Sequence, residues 1–172
     1  MRRKAGEIYG AVVTQARCVD FYAVLGVPDT PTGRYEMVTL HLFLVLERLR
    51  AHAGTASPLS RLLVEAFVAD MDDSLRELGT GDLAVPKKVR RAASGLYERS
   101  MAYREALQAG DVRALAKCFT EHAYAGVANP GADVLASYAV AASAALASAD
   151  LVDAPFASSA FPAVPEYLGA AA

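Results

Sequence analysis

Apolar residues recur along this chain at helical spacing, and no stretch alternates convincingly as a strand would. The punctuation predicts six helices. The first runs from about Gly6 to Leu25 and stops at Gly26 and Pro28. Asp29-Thr30-Pro31-Thr32-Gly33 reads as a loop by its turn chemistry, and a second helix follows from Tyr35 to about His52. Ser57-Pro58 has the form of an N-cap with proline at the first helical position, opening a third helix that ends at Leu78 before Gly79-Thr80-Gly81. Asp82 is placed to cap a fourth, running from Leu83 to Ala109. Gly110-Asp111 reads as a stop and a fresh N-cap for a fifth, Val112 to Tyr124. A sixth, Ala132 to Ala149, is alanine-rich and expected to add little core. Pro155, Pro162 and Pro165 mark an extended, mobile tail. The fold class is therefore all-α: a single helical bundle over residues 1–150 with a Pro/Ala-rich C-terminal tail over 151–172.

Two of these helices carry unusual faces. On the second, Val38, Leu42, Val45, Leu46 and Leu49 form one stripe, and Met37, Leu40, His41, Leu44 and Arg48 form another. A helix apolar on more than one side is either central in a bundle or presents a surface to a partner. On the third, Leu59, Leu62, Leu63, Ala66 and Phe67 point inward, and the same side continues as Asp70, Asp73, Ser74 and Glu77. Asp70 projects only about 20° from Leu63. A carboxylate in an apolar stripe needs a cation or backbone donors, or a cleft. Arg34, His41 and Arg48 are the candidate partners, and an internal clamp, an acidic partner-facing groove and direct chemistry all remain open.

The fourth helix has an inner side of Val85, Val89, Ala92, Leu96, Tyr103 and Leu107, but opens with Lys87, Lys88, Arg90 and Arg91. Cations oppose the macrodipole at a helix N-terminus, so this cluster does not stabilise its own helix. It is either a solvated face or a docking patch for a polypeptide or ribosomal RNA.

Composition narrows the picture. The 172 residues are 54% apolar and 21% charged, with a net charge of −2. That length suits one domain, able to bury about two-thirds of its unfolded surface without staples. The overall charge offers no attraction to nucleic-acid phosphate, and no segment combines a turn with a basic recognition helix, which excludes DNA. Met37 to Leu46 is the longest apolar run, about half the roughly 20 residues a membrane span requires. Met1-Arg2-Arg3-Lys4 is basic, yet Glu7, Gln15, Arg17 and Asp20 interrupt any signal-peptide core; the basic end remains able to touch anionic lipid. Cys18 and Cys118 lack ligand spacing and read as buried thiols in a reducing cytosol, while His41, His52 and His122 are too scattered for a metal site.

Asp70, Asp72 and Asp73 invite comparison with helical isoprenoid synthases, which hold magnesium on aspartate-rich helices. Those enzymes need a second acidic motif, and here Glu98, Glu105, Glu121 and Asp133 are isolated.

Gly33-Arg34-Tyr35-Glu36-Met37 leading into Leu40-His41-Leu42-Phe43-Leu44-Val45-Leu46, and Phe67 to Gly79 running into Gly81-Asp82-Leu83-Ala84-Val85-Pro86-Lys87-Lys88-Val89, together resemble the ubiquinol–cytochrome c chaperone family, assembly factors of the cytochrome bc1 complex. The similarity spans roughly Phe21 to Tyr124, and the Asp-Met-Asp-x-Ser-Leu-Arg-Glu core with its Gly-Asp-Leu sequel carries most of it. With 13 Arg against 4 Lys and abundant alanine, the chain looks like a bacterial member. The resemblance implies an all-α protein without catalysis or cofactor, working in the cytoplasm or at the inner face of the cytoplasmic membrane. It also implies a protein client, cytochrome b or another bc1 subunit. Mitochondrial members add a small partner protein and a ribosome contact, and both stay open for this chain. The expected binding surface combines the second helix's Met37, Leu40, His41 and Leu44 with Asp70, Asp73 and Glu77 and with Lys87, Lys88 and Arg91. A helical adaptor serving a different protein client is the alternative.

Overall fold

The computed structural model describes residues 1–53 and 57–164. Among them the chain forms α1 (Arg2–Ala16), α2 (Val19–Ala23), α3 (Pro31–Ala53), α4 (Pro58–Glu77), α5 (Val85–Ala109), α6 (Val112–His122) and α7 (Gly131–Ala147), with a 3-10 turn at Ser158–Ala160. The all-α expectation holds, and the second expected helix, now α3, is the central one. It packs against α1, α4, α5 and α7, while α6 closes the bundle against α5 and α7. Met37, Leu40, Leu42, Phe43, Leu44, Val45 and Leu49 are all buried, so every side of α3 meets a neighbour.

Several boundaries depart from the sequence pattern for local reasons. The first helix is two. Arg17 and Cys18 leave helical geometry, with Cys18 at φ −55°, ψ 127°. The Tyr22 hydroxyl then donates to the freed carbonyl of Ala16 at 2.8 Å, and the turn drives Phe21 into the core. α3 starts earlier than expected, at Pro31, because Thr30 Oγ1 accepts the Gly33 N–H at 3.1 Å and proline suits the first helical position. Gly33 is required there, since a Cβ would lie 1.9 Å from the Pro28 carbonyl oxygen. Asp82 does not cap α5. Its carboxylate takes Arg76 Nη1 at 2.6 Å, and α5 begins at Val85 without a side-chain cap. Gly110 and Asp111 behave as expected: Gly110 is left-handed at φ 64°, and Asp111 Oδ1 accepts the Ala114 N–H at 2.9 Å.

α7 corrects the expectation of a thin contribution. Leu135, Tyr138 and Leu146 are fully buried along one stripe, and Ala132, Ala136, Ala139 and Ala142 between them let its backbone approach α3 and α6 closely. Residues 151–164 also join the core: Leu151, Phe156, Phe161 and Val164 are buried. Side chains of the bundle strap this segment down. Arg48 Nε and Nη2 donate to the Ala149 carbonyl at 3.2 and 3.1 Å, and a Glu7 carboxylate oxygen accepts the Phe156 N–H at 2.7 Å. Lys4, paired with Glu7 at 2.9 Å, also donates to the Ala154 carbonyl. Pro165, with the rest of the expected tail, lies outside the described residues.

Candidate functional site

A cleft of about 1040 Å³ opens where α1, the start of α3, the end of α4 and the start of α5 fail to close on one another. Its floor is apolar, from Val13, Tyr35, Val38, Met71 and Leu75. α4 contributes Asp70 and Glu77 to one wall. α5 contributes Lys88, Arg91 and Arg99, together with Glu98, to the other. Arg17 and Arg34 stand at the mouth. The result is an apolar trough whose two long edges differ in charge.

The base of the trough is held by a buried ion pair between α3 and α5. Arg99 Nε lies 3.0 and 2.8 Å from the two carboxylate oxygens of Glu36, and Nη2 lies 2.7 Å from the first. Glu36 is 1% exposed. Burial works against the Arg99 charge, but the hydrogen bonds and attraction of Glu36 prevail and hold its pKa above the ordinary arginine value. Beside it the Tyr35 hydroxyl donates to the Ala92 carbonyl at 2.9 Å, and the Arg99 guanidinium sits 5.7 Å from the Tyr35 ring centroid. This crossing needs glycine at position 95, where a Cβ would approach the Tyr35 hydroxyl oxygen to 2.3 Å.

Asp70 is clamped from α1. The Tyr9 hydroxyl donates to Asp70 Oδ2 at 2.7 Å, and burial, reinforced by that carboxylate, raises the Tyr9 pKa. None of the three expected partners serves. Arg34 pairs with Asp29 at 2.7 Å, Arg48 holds the C-terminal segment, and His41 belongs to the opposite side of α3. Sequence places Tyr9 and Asp70 on helices whose pairing it does not reveal.

The expected site residues therefore divide three ways. Asp70, Glu77, Lys88 and Arg91 come together in the cleft. Asp73 and Lys87 are exposed but do not line it. Met37, Leu40, His41 and Leu44 are sealed in the core, which corrects their expected place on an open apolar groove; α7 and residues 151–164 cover that seam. His41 Nδ1–H donates to the Met37 carbonyl at 2.7 Å, which leaves Nε2 to accept the Tyr138 hydroxyl at 2.8 Å. Gln15 Nε2 donates to the same hydroxyl at 3.0 Å. Phe21 and Phe161 stand edge-on to the imidazole at 5.2 Å each, and burial lowers the His41 pKa to about 4.

The aspartates of α4 do not converge on a common point. Asp72 pairs with Arg76 at 2.6 Å, Asp70 takes Tyr9, and the helix facing them across the cleft brings Lys88, Arg91 and Arg99. Glu36 and Arg99 shape the candidate site although the sequence pattern does not single them out. A signal is nonetheless present: Arg99 falls within the inner stripe of α5 between Leu96 and Tyr103, and Glu36 lies one turn before Leu40 on a helix that is apolar all round.

Comparison with known proteins agrees with this architecture. Among solved structures, the chain is similar to the Cbp3 homolog from Brucella abortus, with 34% identity and a TM-score of 0.81 over 95% of this chain and 91% of that one. No curated protein matches the sequence. The ubiquinol-cytochrome C chaperone family matches residues 23–158, a span that includes α3, α4 and α5 and so three of the four sides of the cleft. The chain belongs to the ubiquinol-cytochrome C chaperone family.

Proposed function

We propose that this chain is a non-enzymatic assembly chaperone of the cytochrome bc1 complex, and that it receives an apolar segment of newly made cytochrome b in the cleft between α4 and α5. The observation that carries the reading is the trough itself: an apolar floor of Tyr35, Val38, Met71 and Leu75 between edges of unlike charge, in a member of a chaperone family. An apolar segment gains burial on the floor, whatever its sequence. Asp70 and Glu77 on one side with Lys88 and Arg91 on the other orient its polar flanks. The floor is preorganised by the Glu36–Arg99 pair, so binding does not have to order it. No step here requires a cofactor or a reacting group. A place in the cytoplasm, at the inner face of the membrane where the client is inserted, suits this work, as would a small partner protein or a ribosome contact near the client's point of emergence.

Photo-crosslinkers at positions 71 and 75 test the assignment against controls at Lys117 on α6 and Val140 on α7, both exposed on other faces. Crosslinks to cytochrome b from the cleft positions alone are expected, and deletion of the gene is expected to lower the amount of assembled bc1 complex. Crosslinks confined to the controls, or an unchanged complex level, would overturn the reading.

A further inference from the structure

The outward side of α5 is a second surface, which overlaps the cleft only at Lys88, Arg91 and Ser94. Lys87, Lys88, Arg90 and Arg91 are all exposed, and among the described residues none of them forms an ion pair. Lys88 Nζ donates to Thr80 Oγ1 at 3.4 Å, but the four repel one another and oppose the dipole of the helix they open, so no charge pairing within the described residues accounts for them. Four residues before Lys87, Leu83 is 99% exposed. It is not on a frayed end: the Ala84 N–H donates to the Gly81 carbonyl at 2.8 Å, and Arg76 binds both Asp72 and Asp82, which ties the turn to α4. Beyond the cations the same face continues through Ser94 to Tyr97, which is 68% exposed, and half-exposed Met101. Lys87, Arg90, Ser94, Tyr97 and Met101 follow one another at intervals of three and four residues, so they form one stripe.

We propose that the α4–α5 turn and this stripe dock on an anionic lipid bilayer, with Leu83 entering the acyl region and Lys87 and Arg90 meeting lipid phosphates. A bilayer supplies a place for each group at its own depth: phosphate for the cations, hydrocarbon for the leucine, and the headgroup layer for the amphipathic Tyr97 ring. RNA would attract the cations and could stack on Tyr97, but it offers nothing to a leucine held fully in water. Glu98 and Glu105 mark the point along α5 where the attraction ends. The inference rests on the assembly reading only for its purpose. Lys88 and Arg91 belong to both surfaces, so docking here brings the mouth of the cleft to the membrane from which an apolar client is taken.

Sedimentation of the full chain with vesicles tests it, using phosphatidylcholine alone and phosphatidylcholine containing phosphatidylglycerol. Binding is expected only with the anionic lipid. Each cation near such a surface is worth about fivefold in partitioning, so Lys87→Gln with Arg90→Gln should weaken binding about 25-fold. Leu83→Ser should weaken it about tenfold or more while leaving binding to an RNA hairpin unchanged. All three side chains are exposed, and an unchanged melting temperature checks that the variants fold. Equal binding to neutral vesicles, no binding to either, or full binding by Leu83→Ser would overturn the proposal. So would a double glutamine variant that loses an RNA hairpin and keeps the vesicles. Absence of vesicle binding by the native chain, with intact crosslinks from positions 71 and 75, removes this patch alone, and the reverse removes the cleft assignment alone.

Discussion

Glu36 and His41 are both buried polar side chains on α3, each among apolar neighbours, yet their surroundings solve the same problem differently. His41 is sealed: its two nitrogens are satisfied by Met37 and Tyr138, aromatic rings stand around it, and α7 and residues 151–164 close over it. It stays neutral because burial penalises its charge. Glu36 instead takes the guanidinium of Arg99, and that guanidinium also lines an open cleft. A polar residue in an apolar stripe thus reports only that something must meet it. What meets it decides between a locked core and a binding trough.

Removing Arg99 has the largest expected effect. Arg99→Ala leaves the Glu36 carboxylate, 1% exposed, without its partner, and should cost about 3–5 kcal/mol in chemical denaturation. Replacing both residues by leucine should recover most of that loss, because the unpaired charge goes with the pair. A single-variant loss below about 1 kcal/mol would mean that water reaches Glu36 and that the cleft floor is no more preorganised than its rim.

The sealed side should answer to pH instead. The His41 pKa falls from an ordinary 6.5 to about 4 on folding. The unfolded chain therefore binds a proton that the folded chain refuses, and stability is present in full above pH 6.5 and lost as the pH drops toward 4. At pH 5 the loss is about 2 kcal/mol. Glu7, Glu47 and Asp150, all held below the usual carboxylate range, contribute only at lower pH, which leaves the window between 6.5 and 5 to the histidine. Unfolding free energies at pH 7 and pH 5 should differ by this amount in the native chain and not in His41→Gln. Equal slopes in the two proteins would show that the imidazole is not sealed.

How much of this was legible beforehand follows the same division. Periodicity and Pro58 at the first helical position marked α4, though Ser57 makes no side-chain capping bond, and the Asp111 cap marked α6 and the Gly110-Asp111 junction, since those signals are local. The two-sided stripe of α3 left open a central helix or a partner-facing one; α3 is central, and the stripe expected to meet a partner is sealed. Three things were not legible. The break at Arg17 and Cys18 depends on Tyr22 reaching the Ala16 carbonyl and Phe21 reaching the core. The weight of α7 depends on how closely alanines let it approach α3 and α6, which composition does not express. The C-terminal segment is held by Arg48, Glu7 and Lys4 from distant helices, so prolines alone made it look free. In the site, single residues were visible and pairings were not: Asp70 stood out, but Tyr9 as its partner required knowing that α1 lies against α4.

That last pair gives the finest test of the contrast. Tyr9→Phe removes one hydroxyl and leaves the ring's packing in place, so only the hydrogen bond to Asp70 is lost. On a sealed seam this would strand a buried acceptor at a cost of about 1–3 kcal/mol. Asp70 lines the cleft and is only half-buried, so water can take the place of the phenol and the expected loss is about 1 kcal/mol or less. The denaturation midpoint should move slightly, with an unchanged slope. A loss near 3 kcal/mol would put Asp70 in the same class as His41, a locked polar group of the core, and would take it away from the wall that a client meets.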